Sequence, residues 1–123
     1  MSNIAWVDLT VANAGPVRDF YAEVMGWEPE AVDMGGYSDF NMLDPATGIP
    51  TAGVCHAMGT NEGIPPVWMV YFVVEDLDAS VATCERRGGT VVNGPRKAGQ
   101  SRYTIIRDPA GAVCALVEPG EAE

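Results

Sequence analysis

Residues 67–78, VWMVYFVVEDLD, form the longest apolar run of the chain and close on a helix-start signal. The eight residues VWMVYFVV are too few to cross a bilayer, yet they suit a central strand covered on both faces. Asp76 can accept a hydrogen bond from the free N–H groups of the next turn, so the sequence predicts a helix starting at Leu77. The same unit occurs twice. A shift of 63 positions lays Val74 on Val11, Phe72 on Leu9, Val70 on Val7, Asp76 on Asn13 and Gly89 on Gly26.

Read outward from that unit, Ile4 to Val11 alternates Val7, Leu9 and Val11 on one face with Trp6, Asp8 and Thr10 on the other. The aliphatic set should face a helix from about Ala14 to Met25, capped by Asn13 and stopped by Gly26. Val17, Phe20, Tyr21 and Val24 follow helical spacing and make its expected core face. Strands are predicted near Glu30 to Asp33, from Tyr37 to Leu43 and from Thr51 to His56, with turns at Gly35-Gly36 and at Asp44 to Gly48. A linker, about 58–66, carries glycines and prolines without apolar period. The second half repeats the order: a strand Val67 to Val74, a helix of about Leu77 to Arg87 with Leu77, Val81 and Cys84 inward, and a short strand Thr90 to Val92. A loop NGPRKAGQS follows, then strands Arg102 to Arg107 and Ala112 to Val117. One domain covers residues 1–123, with a βαβββ module at about 4–57 and another at about 67–118.

The balance of 7 Lys+Arg against 17 Asp+Glu, net −10, opposes binding to nucleic acid and to anionic membranes. MSNIAW lacks the basic and apolar regions of a signal peptide, and no apolar run approaches a membrane span, so a soluble cytoplasmic protein is expected. Cys55, Cys84 and Cys114 are odd in number and widely spaced, which reads as reduced core thiols.

A doubled βαβββ unit with VANAGPVRDFYAEVMGW at 11–27, VVEDLDASVATCERRGG at 73–89 and RDPAGAVCALVEP at 107–119 resembles the vicinal oxygen chelate superfamily, also called the glyoxalase and bleomycin-resistance fold. GIPTAGVCHA and GIPPVWMVYF resemble its glyoxalase-like branch. The resemblance implies an α+β fold in which two tandem βαβββ modules form a cupped mixed sheet that holds a ligand and, in many members, a metal. It also implies a homodimer, since relatives often pair halves across chains. Metal-dependent relatives take ligands from the first and last strands of each half, positions that fall here on Trp6, Met69 and Ala115. For the last strand of the first half, Ala52, Val54 and His56 are the candidates. His56 is the only histidine, and one imidazole without partners does not make a zinc site, so neither a metal nor another cofactor is expected.

Asp8 stands on the face that the aliphatic set leaves for the cup, with Tyr71 as its counterpart in the second half. A carboxylate there either pairs with a tyrosine, a backbone N–H or an arginine, or serves as a general base. Trp6, Thr10, Met69 and Tyr71 give the cup an apolar and aromatic wall with polar tips, the composition of a small-molecule site and also of an ordinary core. Tyr37, Asn41 and Tyr103 are further candidates. Four of the seven basic residues, Arg96, Lys97, Arg102 and Arg107, fall between positions 96 and 107. Arg96 and Lys97 on a loop, with Arg102 as a fork, would suit an anionic ligand, or they only balance the acidic surface. The favoured reading is a metal-free small-molecule-binding protein, with His56 and Tyr103 completing the ligand set. The alternatives are a small isomerase, lyase or hydrolase with Asp8 as base and Tyr71 or Arg102 stabilising negative charge, and a dimerisation module without ligand.

Overall fold

The computed structural model describes residues 3–120, which build an α+β fold of eight strands and two α-helices. The order is β1 (Ile4–Val11), α1 (Ala14–Met25), β2 (Glu28–Asp33), β3 (Ser38–Leu43), β4 (Pro50–His56), β5 (Trp68–Val73), α2 (Leu77–Arg86), β6 (Thr90–Ala98), β7 (Ser101–Arg107) and β8 (Val113–Glu118). The βαβββ order therefore appears twice. Two compact units divide the chain: one is Val7–Trp68, and the other joins Met69 onward to the described residues up to Trp6. The boundary runs through β1, a strand that the modular repeat assigned whole to the first half. Among the described residues no helix is long and apolar enough to cross a membrane.

In the Val7–Trp68 unit the strands hydrogen-bond in the order β2-β3-β4-β1, with β1 parallel to β4 and the other pairs antiparallel. Ala14, Phe40, Met42 and Val54 are buried together, and Val11, Val17, Tyr21, Ala22, Trp27 and Trp68 pack against them. The inward stripe of α1 thus runs through Ala14, Val17 and Tyr21, while Phe20 and Val24 are 57% and 60% exposed. The helix carries an apolar arc wider than its contact with the sheet, so apolar spacing alone did not show which edge of the arc would be covered. Asn13 holds the cap position without a side-chain cap bond, and Gly26 ends the helix at φ 74.

The second unit repeats this design in the order β5-β8-β7-β6, with β5 parallel to β8. Asp76 Oδ1 accepts from Ala79 N–H at 3.1 Å, the cap that the sequence predicts. Glu118 Oε1 accepts from Leu77 N–H at 2.8 Å, so the last strand satisfies another free donor of the same helix. Leu77 itself is fully buried, a contribution of about 1.5–3 kcal/mol. Gly89 is needed for close approach, because a Cβ there would lie 2.9 Å from Arg107 O and against Cys84 Sγ. The stretch that reads as a loop, NGPRKAGQS, instead continues β6 to Ala98. Register shifts between Val91 and Asn93 and between Asn93 and Arg96 absorb Gly94, whose φ is 108, and Pro95. An outermost strand tolerates a residue without an N–H, which is why Gly and Pro did not end it.

Thr104 is fully buried on β7, and its hydroxyl has no hydrogen-bond partner. An unmade buried hydrogen bond is destabilising, so Thr104→Val should raise stability by about 1 kcal/mol. The check is the urea midpoint, which should rise with an unchanged slope; a lower midpoint would show that the hydroxyl is satisfied after all.

Candidate functional site

Strand register sorts the polar residues of the Val7–Trp68 unit onto one face. Asp8 lies opposite Gly53, and Gly53 lies opposite Asn41, which makes a row Asp8, Gly53, Asn41 across β1, β4 and β3. Thr10 lies opposite Cys55 in the next row. These side chains point away from α1, because Leu9, Val54 and Phe40 share the opposite face. Thr10 and Asp39 are only 4% and 6% exposed. Asp39 Oδ1 accepts from the backbone N–H of His56 at 2.8 Å and stands 3.5 Å from His56 Nδ1. That second distance suits an ion pair when the ring is protonated, but the buried Nδ1 lacks a hydrogen bond. The His56 ring stands edge-on to Tyr37, with centroids 5.5 Å apart.

Burial pushes the Cys55 thiol well up, helped by the nearby charges of Asp8 and Asp39 and by a hydrogen bond to Asp39. Cys55 therefore stays a thiol at neutral pH and acts as a donor, not as a nucleophile. The arrangement gathers two carboxylates and a neutral thiol, so it can hold or move a proton. Asp39 and Cys55 were not singled out from the sequence as site residues. The signal was present in Ser38 to Met42, where Asp39 and Asn41 alternate with Phe40 and Met42.

In the second unit Tyr71, Ala115, Ile105 and Asn93 make one row, and Val73, Val117, Tyr103 and Arg96 the next. The Tyr71 and Tyr103 rings meet at 6.0 Å between centroids, inclined by 63°. Arg96, the cross-strand partner of Tyr103, donates from Nε to Asn93 Oδ1 at 2.7 Å. Met69 alternates onto that face and is almost fully buried. Arg102 lies on the other side, with Nη2 3.4 Å from Asp78 Oδ2 and 3.5 Å from Glu118 Oε2, and Lys97 is its cross-strand neighbour. The basic group is thus split: Arg96 stays with the tyrosines, while Arg102 and Lys97 share the face of α2. Trp6 is half-buried and follows Asp8 and Thr10 by alternation along β1.

The register also relates the two halves at the positions where the resemblance places metal ligands. Tyr71 pairs with Ala115 as Asp8 pairs with Gly53, so Gly53 is the counterpart of Ala115, not Ala52, Val54 or His56. Trp6, Met69, Gly53 and Ala115 offer no side chain for a hard or borderline cation, and among the described residues no three His, Cys, Asp or Glu are grouped to hold a metal ion. These four residues do not fit a hard or borderline divalent ion.

Paired βαβββ units with a helix-free face on each sheet define a class of small α+β folds. The chain belongs to the Glyoxalase/Bleomycin resistance protein/Dioxygenase superfamily, whose family model matches residues 3–116. It is 33% identical over 118 residues to the anthracycline biosynthesis protein DnrV of Streptomyces peucetius, covering 94% of this chain and 41% of that protein. It is 30% identical over 113 residues to the putative glyoxylase CFP32 of Mycobacterium tuberculosis, covering 90% of this chain and 43% of that protein. The chain spans less than half the length of these relatives. Among solved structures, methylmalonyl-CoA epimerase from Mycobacterium tuberculosis is similar with a TM-score of 0.53 at 21% identity, over 97% of this chain and 89% of that one. Streptomyces coelicolor methylmalonyl-CoA epimerase in complex with 2-nitronate-propionyl-CoA is similar with a TM-score of 0.56 at 18% identity, over 98% and 99%. Those structures share the fold.

The Cys55 environment gives a pH dependence of known sign. Its thiol holds a proton more tightly in the folded chain than in the unfolded one, where the pKa is about 8.5, so this stability is fully present below that pH and is lost as pH rises above it. By pH ~10 the loss should reach about 2 kcal/mol. Urea unfolding of wild type and Cys55→Ala across this range is the measurement. The gap between them should narrow as pH rises, and a constant gap would show that the thiol is not held in its neutral form.

Proposed function

We propose that this chain binds a small organic anion without a metal, and that the helix-free face of the second unit is where it does so. The observation that carries this reading is Arg96, held by Asn93 and paired across the strands with Tyr103, whose ring meets that of Tyr71. A guanidinium recognises a carboxylate or phosphate with two parallel hydrogen bonds, and the half-buried Tyr71 ring supplies apolar surface for the rest of the ligand. Arg102 is already engaged by Asp78 and Glu118 and is left outside the site. The acyl-CoA named for the similar epimerase fits this chemistry as a first probe, since it carries several negative charges.

Calorimetric titration with methylmalonyl-CoA tests the reading. Arg96→Ala should weaken binding tenfold to a hundredfold, as expected for the loss of charge-assisted hydrogen bonds. Arg102→Ala should leave the affinity unchanged. Equal affinities for wild type and Arg96→Ala would remove the anion site.

A second reading, an enzyme with Asp8 as base, is favoured by the row in which Asp8 faces Gly53 and Asn41. If protein incubated with methylmalonyl-CoA in deuterated water exchanges the proton next to the carboxylate, Asp8→Asn should slow that exchange on the order of a hundredfold while binding persists. Exchange at the wild-type rate in Asp8→Asn would exclude the role.

The assembly proposed with either reading is a homodimer, supported by the exposed Phe20 and Val24 one turn apart on α1. Sedimentation velocity at micromolar concentration should show a dimer, and a Phe20→Lys, Val24→Lys double variant should shift it toward monomer. A monomeric wild type overturns the proposal.

A further inference from the structure

The Val7–Trp68 unit has a cavity of about 410 Å³ on the α1 side of its sheet, lined by Val7, Tyr21, Met25, Trp27, Ala52 and Trp68 with Thr51. We propose that it is a second binding site, for a planar, uncharged aromatic molecule. The volume lies in the range of small-molecule pockets, and the cavity opens to solvent beside the exposed Thr51 and Met25. Three aromatic rings build the wall. Tyr21 and Trp68 meet at 5.0 Å with planes inclined by 82°, and Trp27 and Trp68 at 6.2 Å with planes inclined by 74°. Ring systems set nearly at right angles offer a guest both a stacked and an edge-on contact.

The polar groups of the wall are arranged for a neutral guest. Trp68 Nε1–H donates to Tyr21 Oη at 3.1 Å, which satisfies the indole internally and fixes both rings before anything binds. Tyr21 keeps its own hydroxyl proton to donate to a carbonyl or hydroxyl oxygen of the guest. No charged side chain lines the cavity, so an ionic ligand would lose its hydration there without compensation. Met25 is 54% exposed, and its flexible thioether can adapt to the rim of a flat ring system. Val7 and Ala52 open onto this cavity, whereas their chain neighbours Asp8 and Gly53 face the other side of the sheet. This site is therefore separate from the polar face described above and stands independently of the anion reading.

Acridone, a neutral planar tricycle with one carbonyl, is a suitable probe. Added to the intact chain, it should quench tryptophan fluorescence saturably, with one site per chain. Ala52→Leu, which adds bulk at the floor of the cavity, should weaken acridone binding at least tenfold in a chain whose circular dichroism shows it is folded. Thr51→Phe, placed at an exposed position of the rim, provides a second block if Ala52→Leu fails to fold. Methylmalonyl-CoA binding, if present in the wild type, should survive both changes. Absence of saturable quenching, or quenching that is equal in both blocked variants and the wild type, overturns the proposal. A change of oligomeric state in the blocked variants with no acridone binding to the wild type would also overturn it, by assigning the cavity to a side chain of a second copy.

Discussion

Parallel pairing within each module, β1 with β4 and β5 with β8, is the constraint from which the functional geometry follows. Side chains alternate with a period of two, so a slip of one residue in either pairing would exchange every core residue for a face residue. The observed register sends Leu9, Phe40 and Val54 toward α1 and leaves Asp8, Thr10, Asn41 and Cys55 on the opposite face. Tyr71, Ala115 and Ile105 share a face in the second unit by the same rule. Small residues at Gly53 and Ala115 are what keep the middle of each face low.

Charge in the second unit is organised around α2. Glu118 accepts from Leu77 N–H with one carboxylate oxygen and approaches Arg102 with the other, and Arg102 also reaches Asp78 in the first turn. Negative charge at the start of a helix is favourable, and two carboxylates there need a cation to limit their repulsion. Arg102 supplies it. Arg96 sits on the opposite face, where its only side-chain anchor among the described residues is a neutral amide. Two arginines six positions apart in one hairpin thus have different tasks, set by the face on which each emerges.

Much of the architecture was legible in the sequence because the repeat supplied two independent readings of each element. The strand and cap at Val67 to Asp78 and the glycines at the helix ends all point to the same order, and Asp76 caps as its chemistry dictates. Asp8 was also readable as a carboxylate on the face away from the helix. Other features depended on register, which alternation within one strand does not reveal. Cys55 enters the polar face through its pairing with Thr10 of β1, Asp39 through the ladder between β3 and β4, and the assignment of Arg96 and Arg102 to opposite faces needed the ladder between β6 and β7. Phe20 and Val24 were misplaced in the core because an arc of apolar residues does not show which of its edges meets a sheet. Gly94 and Pro95 read as a break because local propensity carries no information about a strand's place in its sheet.

The outermost strands give the molecule a further property. β2, with the sequence EPEAVD, is exposed along its whole length, and β6 carries Pro95, Arg96 and Lys97 near its end. Unpaired strand edges invite growth of a sheet from one molecule into the next, and prolines and charges oppose it. One border is acidic and the other basic, so electrostatics draws unlike borders of neighbouring molecules together, while Pro29 and Pro95 deny them a continuous ladder. A proline and charges on each outermost strand are the features that oppose growth of a sheet from edge to edge.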